Sequence, residues 1–123
     1  MATIILPIHP KHVKNIINKT KLLELRKSFP KQTIDTILVY ETSPTSKVVA
    51  VLSVEQLIME KEEFYKKYKN VIGVTKEDFF YYYKKQDSCY AYNILDVSPL
   101  SVHLPLSNYG FTAAPQNFFY IKT

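Results

Sequence analysis

The chain is short of the residues that build several familiar kinds of site. Cys89 is the one cysteine among 123 residues, so no internal disulfide can form, and a reducing, cytoplasmic setting is expected. Gly73 and Gly110 are the only glycines, and neither lies in a glycine-rich turn, which excludes a phosphate-cradling loop. The three histidines (His9, His12, His103) lack metal-ligand spacing: His9 and His12 share a helix face at i, i+3, but no third ligand accompanies them. No serine or cysteine sits in a nucleophile-elbow context. No apolar run approaches the ~20 residues that cross a bilayer. The opening Met1–Leu6 has no basic segment and is cut by Pro7, so neither a signal peptide nor a membrane partner is expected. Nothing in this inventory calls for a metal or a cofactor.

What is present is ordinary globular composition, 46% hydrophobic and 22% charged, in a length that supports one domain, residues 1–123. The charge is unevenly spread. Residues 1–31 carry seven bases (Lys11, Lys14, Lys19, Lys21, Arg26, Lys27, Lys31) against Glu24 alone, a balance of +6, while residues 32–123 carry nine lysines against ten acids, −1. Positive charge concentrated on one helix and the following strand attracts phosphates or another polyanion; the same pattern also describes a solvated lysine-rich helix face.

Hydrophobic periodicity predicts a short buried strand over Thr3–Ile8 and a helix opened by His9-Pro10, with Val13, Ile16 and Ile17 facing the core. That helix closes near Asn18–Thr20, where Asn tolerates the left-handed conformation. Strands follow over Lys21–Phe29, Ile34–Thr42 and Lys47–Val54, the last two as a hairpin through the Ser43–Ser46 turn. Two short helices carry aromatic stripes, Phe64, Tyr65 and Tyr68, then Phe79, Phe80, Tyr82 and Tyr83, the second capped by Thr75. Such stripes pack on a sheet far more often than they stack bases. A strand over Cys89–Val97, a proline-broken region through Gly110 and a terminal strand over Phe118–Ile121 complete the chain. More strand than helix, without βαβ alternation, predicts an α+β, mostly β fold: a small, partly closed barrel with helices at its rim.

Chemistry concentrates in Lys21–Arg26. Alternation along a strand puts Glu24 and Arg26 on one face, roughly 6.6 Å apart, and Leu23 and Leu25 on the other. The polar face is expected to line a cleft with Lys21 at its rim. Three readings fit. The trio binds, Arg26 as a fork for phosphate or a base edge, Glu24 accepting from an exocyclic amine and Lys21 as a point charge. Or Lys21 and Glu24 act as an acid/base pair. Or Glu24 and Arg26 form a structural ion pair worth about 0–1 kcal/mol.

The run Lys19-Thr20-Lys21-Leu22-Leu23-Glu24-Leu25-Arg26 resembles the G-x-K-x-x-E-x-R signature of ASCH domains, a branch of the PUA-like superfamily. Lys21, Glu24 and Arg26 stand at the right offsets, and Lys19 stands where the family has Gly. Ala114-Pro115-Gln116-Asn117-Phe118 resembles the P-P-Q-S-F-like ending of some small bacterial members. The resemblance implies a PUA-like β-barrel with an electropositive cleft beside the first helix, suited to RNA or a nucleotide-like ligand. Some ASCH relatives are amidohydrolases acting on N4-acetylcytidine, with a Thr nucleophile three residues after the Lys. Here that position is Glu24, with Thr20 and Thr42 the hydroxyls left to substitute, which argues against that activity. The leading expectation is therefore nucleic-acid binding: Lys11, Lys14, Lys19 and Lys27 on phosphates, Lys21, Glu24 and Arg26 on a base, and Tyr40, beside Thr42 and Ser43, as a stacking surface. The rivals are a small hydrolase or nuclease using Lys21 and Glu24, and a protein-interaction module using the Phe64–Tyr83 aromatic surface.

Overall fold

The computed structural model describes residues 1–121. Its elements in chain order are β1 (Ala2–Ile8), α1 (Pro10–Ile17), β2 (Leu23–Arg26), β3 (Ile34–Glu41), β4 (Lys47–Glu60), α2 (Lys61–Tyr68), α3 (Lys76–Tyr82), β5 (Ser88–Leu104), a 3-10 turn over Leu106–Tyr109 and β6 (Phe119–Ile121). They form one mixed sheet in the order β2-β5-β4-β3-β1-β6, with β1 and β3 parallel and every other pair antiparallel.

Strand alternation distributes the core. Ile4, Leu6, Ile8, Ile37 and Val39 join Val13 and Ile16 of α1 in one cluster, while Ile5 and Tyr40 point to the other face and meet Val48 and Leu106. A further cluster gathers Leu23, Phe64, Ile72, Phe79, Tyr83, Cys89 and Ala91, where α2 and α3 cover the β2–β5 end of the sheet. The inner faces of the aromatic stripes are interior, with Phe64, Phe79 and Tyr83 completely buried, while Tyr65, Tyr68 and Phe80 are half-buried and Tyr82 is exposed. The Cys89 thiol, buried in the same cluster, is pushed up to about 12 by desolvation and is not a nucleophile at neutral pH.

Several sequence expectations need correction. β4 runs to Glu60 rather than Val54, and β5 continues past Pro99 to Leu104. Pro99 is accommodated opposite Ala50, beside the register shift at Val48/Ala50, where the ladder is already interrupted. β2 is four residues long, not nine. The left-handed residue closing α1 is Lys19 (φ 65°), not Asn18. Finally, the sheet is not closed into a barrel: β2 and β6 end the strand order, and no ladder joins them among the described residues. β6 covers only Thr3–Ile5 of β1, so the Leu6–Ile8 edge faces β2 across a split. Arg26 spans that split, donating from Nη2 to the Pro7 carbonyl at 2.9 Å.

Candidate functional site

The site begins with two consecutive turns that follow α1. His9 caps the helix by accepting from the Lys11 amide at 3.0 Å, which fixes His12 one turn on. Lys19 and Thr20 then reverse the chain, with the Thr20 and Lys21 amides both returning to the Asn15 carbonyl. The Lys21 stem runs inward from this reversal. Its Nζ donates to the Ile72 carbonyl at 2.8 Å, and the Leu22 amide donates to Val71 at 2.7 Å, so the loop between α2 and α3 is clamped to the start of β2. Gly73 in that loop has φ 73°, and a Cβ there would stand 3.2 Å from Lys21 Cδ. The loop conformation and the seating of Lys21 both depend on a missing side chain.

Lys21 is only 3% exposed and Glu24 only 6%, so Lys21 belongs to the floor of the site and not its rim, as the sequence suggested. Glu24 lies between two cations: its Oε2 accepts from Arg26 Nη2 at 3.0 Å, and its Oε1 is 3.6 Å from Lys21 Nζ. The second separation is an ion-pair distance and exceeds a hydrogen bond, so Oε1 keeps an unfilled lone pair. Arg26 Nε and His12 Nδ1 are likewise buried without a partner. Three polar atoms in one neighbourhood therefore retain hydrogen-bonding capacity that the fold does not use, and buried polar atoms seldom go unpaired.

Burial and charge set the protonation of the group. Desolvation lowers the Lys21 pKa from its ordinary 10.5, with Glu24 opposing and Arg26 reinforcing the shift. His12 is also held below its usual value, first by burial and then by the Lys21 charge. The Tyr82 hydroxyl is pushed up by burial.

Three concavities meet here. The inner cleft, about 200 Å³, is lined by His12, Lys21, Glu24, Leu25, Val74, Asp78, Phe79 and Tyr82. The β1–β2 split, about 150 Å³, adds Arg26, Phe29, Tyr92, Asn117 and Phe118, again with Tyr82. A wider outer groove carries Lys27, Lys84, Lys85 and Tyr81, and Tyr82 once more. Tyr82 remains 37% exposed, and Lys27 Nζ lies 4.8 Å from its ring centroid. Its neighbour Tyr83 places it: the Tyr83 hydroxyl lies 2.9 Å from the Arg26 carbonyl and 3.0 Å from that of Tyr90, tying the end of α3 to β2 and β5.

The sequence-derived residues separate into two groups. Lys21, Glu24, Arg26 and Lys27 come together around the cleft, and Lys11 lines a shallow groove beside it with His12 and Gly73. Lys14 is exposed on α1 and lines none of these hollows, and Lys19 lines a separate one with Ile94–Val97. Tyr40 is corrected outright: at 7% exposure, packed on Ile5 and Leu106, it offers no stacking face. Thr42 and Ser43 belong to the turn after β3 and line neither the inner cleft nor the split. Thr20 spends its hydroxyl on Asn18 Oδ1 at 2.6 Å. His12 and Tyr82 line the inner cleft and were missed in the sequence; the signals available were a histidine one turn from a cap and a tyrosine next to the Lys84-Lys85 pair.

No group of His, Cys, Asp and Glu suited to a metal occurs among the described residues, and no described helix is long and apolar enough to cross a membrane.

No family model matches the chain. The large ribosomal subunit protein uL22 of Ureaplasma parvum serovar 3, in two strains, is 28% identical over 122 residues, 98% of this chain. The chain spans 39% of the length of these curated relatives. Among solved structures, the ASCH protein of Zymomonas mobilis and two single-substitution variants of it align at a TM-score of 0.86 and 16% identity, covering 98–99% of this chain and 88–91% of theirs. With 98–99% of the chain aligned at that TM-score, the chain has the fold of an ASCH domain.

Proposed function

We propose that the protein binds RNA through this cleft, with one base held against Tyr82 and the Lys21–Glu24–Arg26 array, and with Lys27 and Lys11 on the flanking phosphates. The observation that carries the reading is the set of unused buried atoms, Glu24 Oε1, Arg26 Nε and His12 Nδ1. A carboxylate oxygen accepts from an exocyclic amine and a guanidinium N–H donates to a ring nitrogen or carbonyl, the two halves of a base edge. Tyr82 supplies a half-exposed ring to stack on, and stacking contributes about 1–3 kcal/mol per base. Residues 1–123 act as one unit in this proposal, a barrel left ajar where Arg26 bridges β2 and β1. The name of the uL22 relatives, which places them in the large ribosomal subunit, supports an RNA setting.

The test is fluorescence anisotropy of a 5′-labelled single-stranded RNA over a salt series. Affinity is expected to fall with a log–log slope of about −0.7 per phosphate contacted, and Tyr82→Ala to weaken binding about 10-fold or more. A flat salt response together with unchanged Tyr82→Ala affinity overturns the reading.

One observation favours a second reading. A buried amine with a depressed pKa, 3.6 Å from a carboxylate, is equipped for proton transfer, as in a small hydrolase or nuclease. Lys21→Met separates the two: RNA turnover by the parent protein that vanishes in the variant, with binding retained, establishes catalysis.

A further inference from the structure

We propose that the ligand is an oligonucleotide of at least two residues, with adjacent bases on opposite sides of the Tyr82 ring, one in the inner cleft and one in the β1–β2 split. This rests on the nucleic-acid reading above and specifies its ligand. The inner cleft and the split have Tyr82 as a common lining residue, and the Glu24–Arg26 pair runs between their floors, Glu24 lining the first and Arg26 the second. At about 200 and 150 Å³ each is smaller than the roughly 300–1,000 Å³ of clefts that enclose a drug-sized molecule, so each takes a fragment the size of one base.

The chemistry of the split matches a second base. Phe29, Tyr92 and Phe118 supply aromatic walls, and Phe29 lies 5.1 Å centroid to centroid from Tyr92. The exposed amide of Asn117 supplies the polar contact. A phosphodiester joining two bases that flank Tyr82 must pass the edge of its ring. Lys27 Nζ lies over one face of that ring, 4.8 Å from its centroid, and the side chain lines both the split and the outer groove, so on binding it swings off the face to the phosphate as the second base takes its place. From Lys27 the outer groove continues to Lys84 and Lys85, a path for the next phosphate; Asp78 is the single carboxylate among its lining residues.

Isothermal titration of the four ribonucleoside 5′-monophosphates against 5′-phosphorylated ApA, CpC, GpG and UpU tests this. For the preferred base, the dinucleotide is expected to bind about 10- to 100-fold more tightly than the monophosphate, the gain from one more stacked base. Phe118→Ala and the surface substitution Asn117→Asp should each remove most of that gain while leaving monophosphate affinity within about twofold. Equal affinity for monophosphate and dinucleotide overturns the inference and leaves the one-base reading standing. So does a dinucleotide advantage that survives both substitutions. Absence of binding by every probe defeats the nucleic-acid reading itself.

Discussion

Glu24→Gln is the most informative single substitution, because the carboxylate stands between two cations with almost no water to screen it. At an effective dielectric of about 20, each attraction is worth about 5 kcal/mol at the separations observed, 3.6 Å to Lys21 and 3.0 Å to Arg26. Most of that is offset by desolvation of the three groups and by Lys21–Arg26 repulsion. The loss on removing one buried partner is therefore expected at about 3–5 kcal/mol, against a total stability of about 5–15 kcal/mol. Urea denaturation at neutral pH should show a lower midpoint with an unchanged slope, and thermal unfolding should drop by about 10–20 °C. In the double variant Lys21→Met/Glu24→Gln the second change should cost much less than it does alone, because no uncompensated ammonium remains; a coupling of about 1–3 kcal/mol is expected. A Glu24→Gln loss under about 1 kcal/mol, with the two substitutions additive, would mean that the pair behaves as an exposed one, and the buried array would have to be abandoned.

Four further outcomes follow from particular geometries. Lys19→Gly should stabilise the protein by up to about 1 kcal/mol in urea melts, because φ 65° strains a lysine and suits glycine; a destabilised variant counts against that backbone conformation. Gly73→Ala should cost more than about 1 kcal/mol and weaken ligand binding, since the new Cβ meets both a left-handed backbone and the Lys21 stem at 3.2 Å. Tyr83→Phe should cost about 1–3 kcal/mol, measured by denaturation, through loss of the hydroxyl between the Arg26 and Tyr90 carbonyls. His12 is held below its ordinary 6.5 by burial and by Lys21, with Lys11 and His9 adding to the shift and Glu24 opposing it. Below pH 6.5 the unfolded chain takes up a proton that the folded one refuses, so stability should decline as pH falls from 6.5 toward the depressed value. His12→Asn should flatten that decline, and an unaltered pH profile would contradict the assignment.

Much of the frame was legible in the residues because it follows from local periodicity. The buried run Ile4–Leu6, the helix opened at Pro10, the Thr75 cap and the placement of Glu24 and Arg26 on one face all follow from spacings of a few residues. The lengths of β4 and β5 were not legible, since Glu55–Glu60 and Ser98–Leu104 become strand only by pairing with partners far along the chain.

The same boundary divides the site. Sequence alone determined which side chains carry its charge and that a carboxylate and a guanidinium lie together. Tertiary structure decided that Lys21 is buried, because its anchor at Ile72 is 51 residues away. It also buried Tyr40 against Leu106 and brought Tyr82 over the cleft in its place. Periodicity specifies which face a residue occupies. Whether that face meets protein, water or a hollow depends on segments that only the folded sheet brings together.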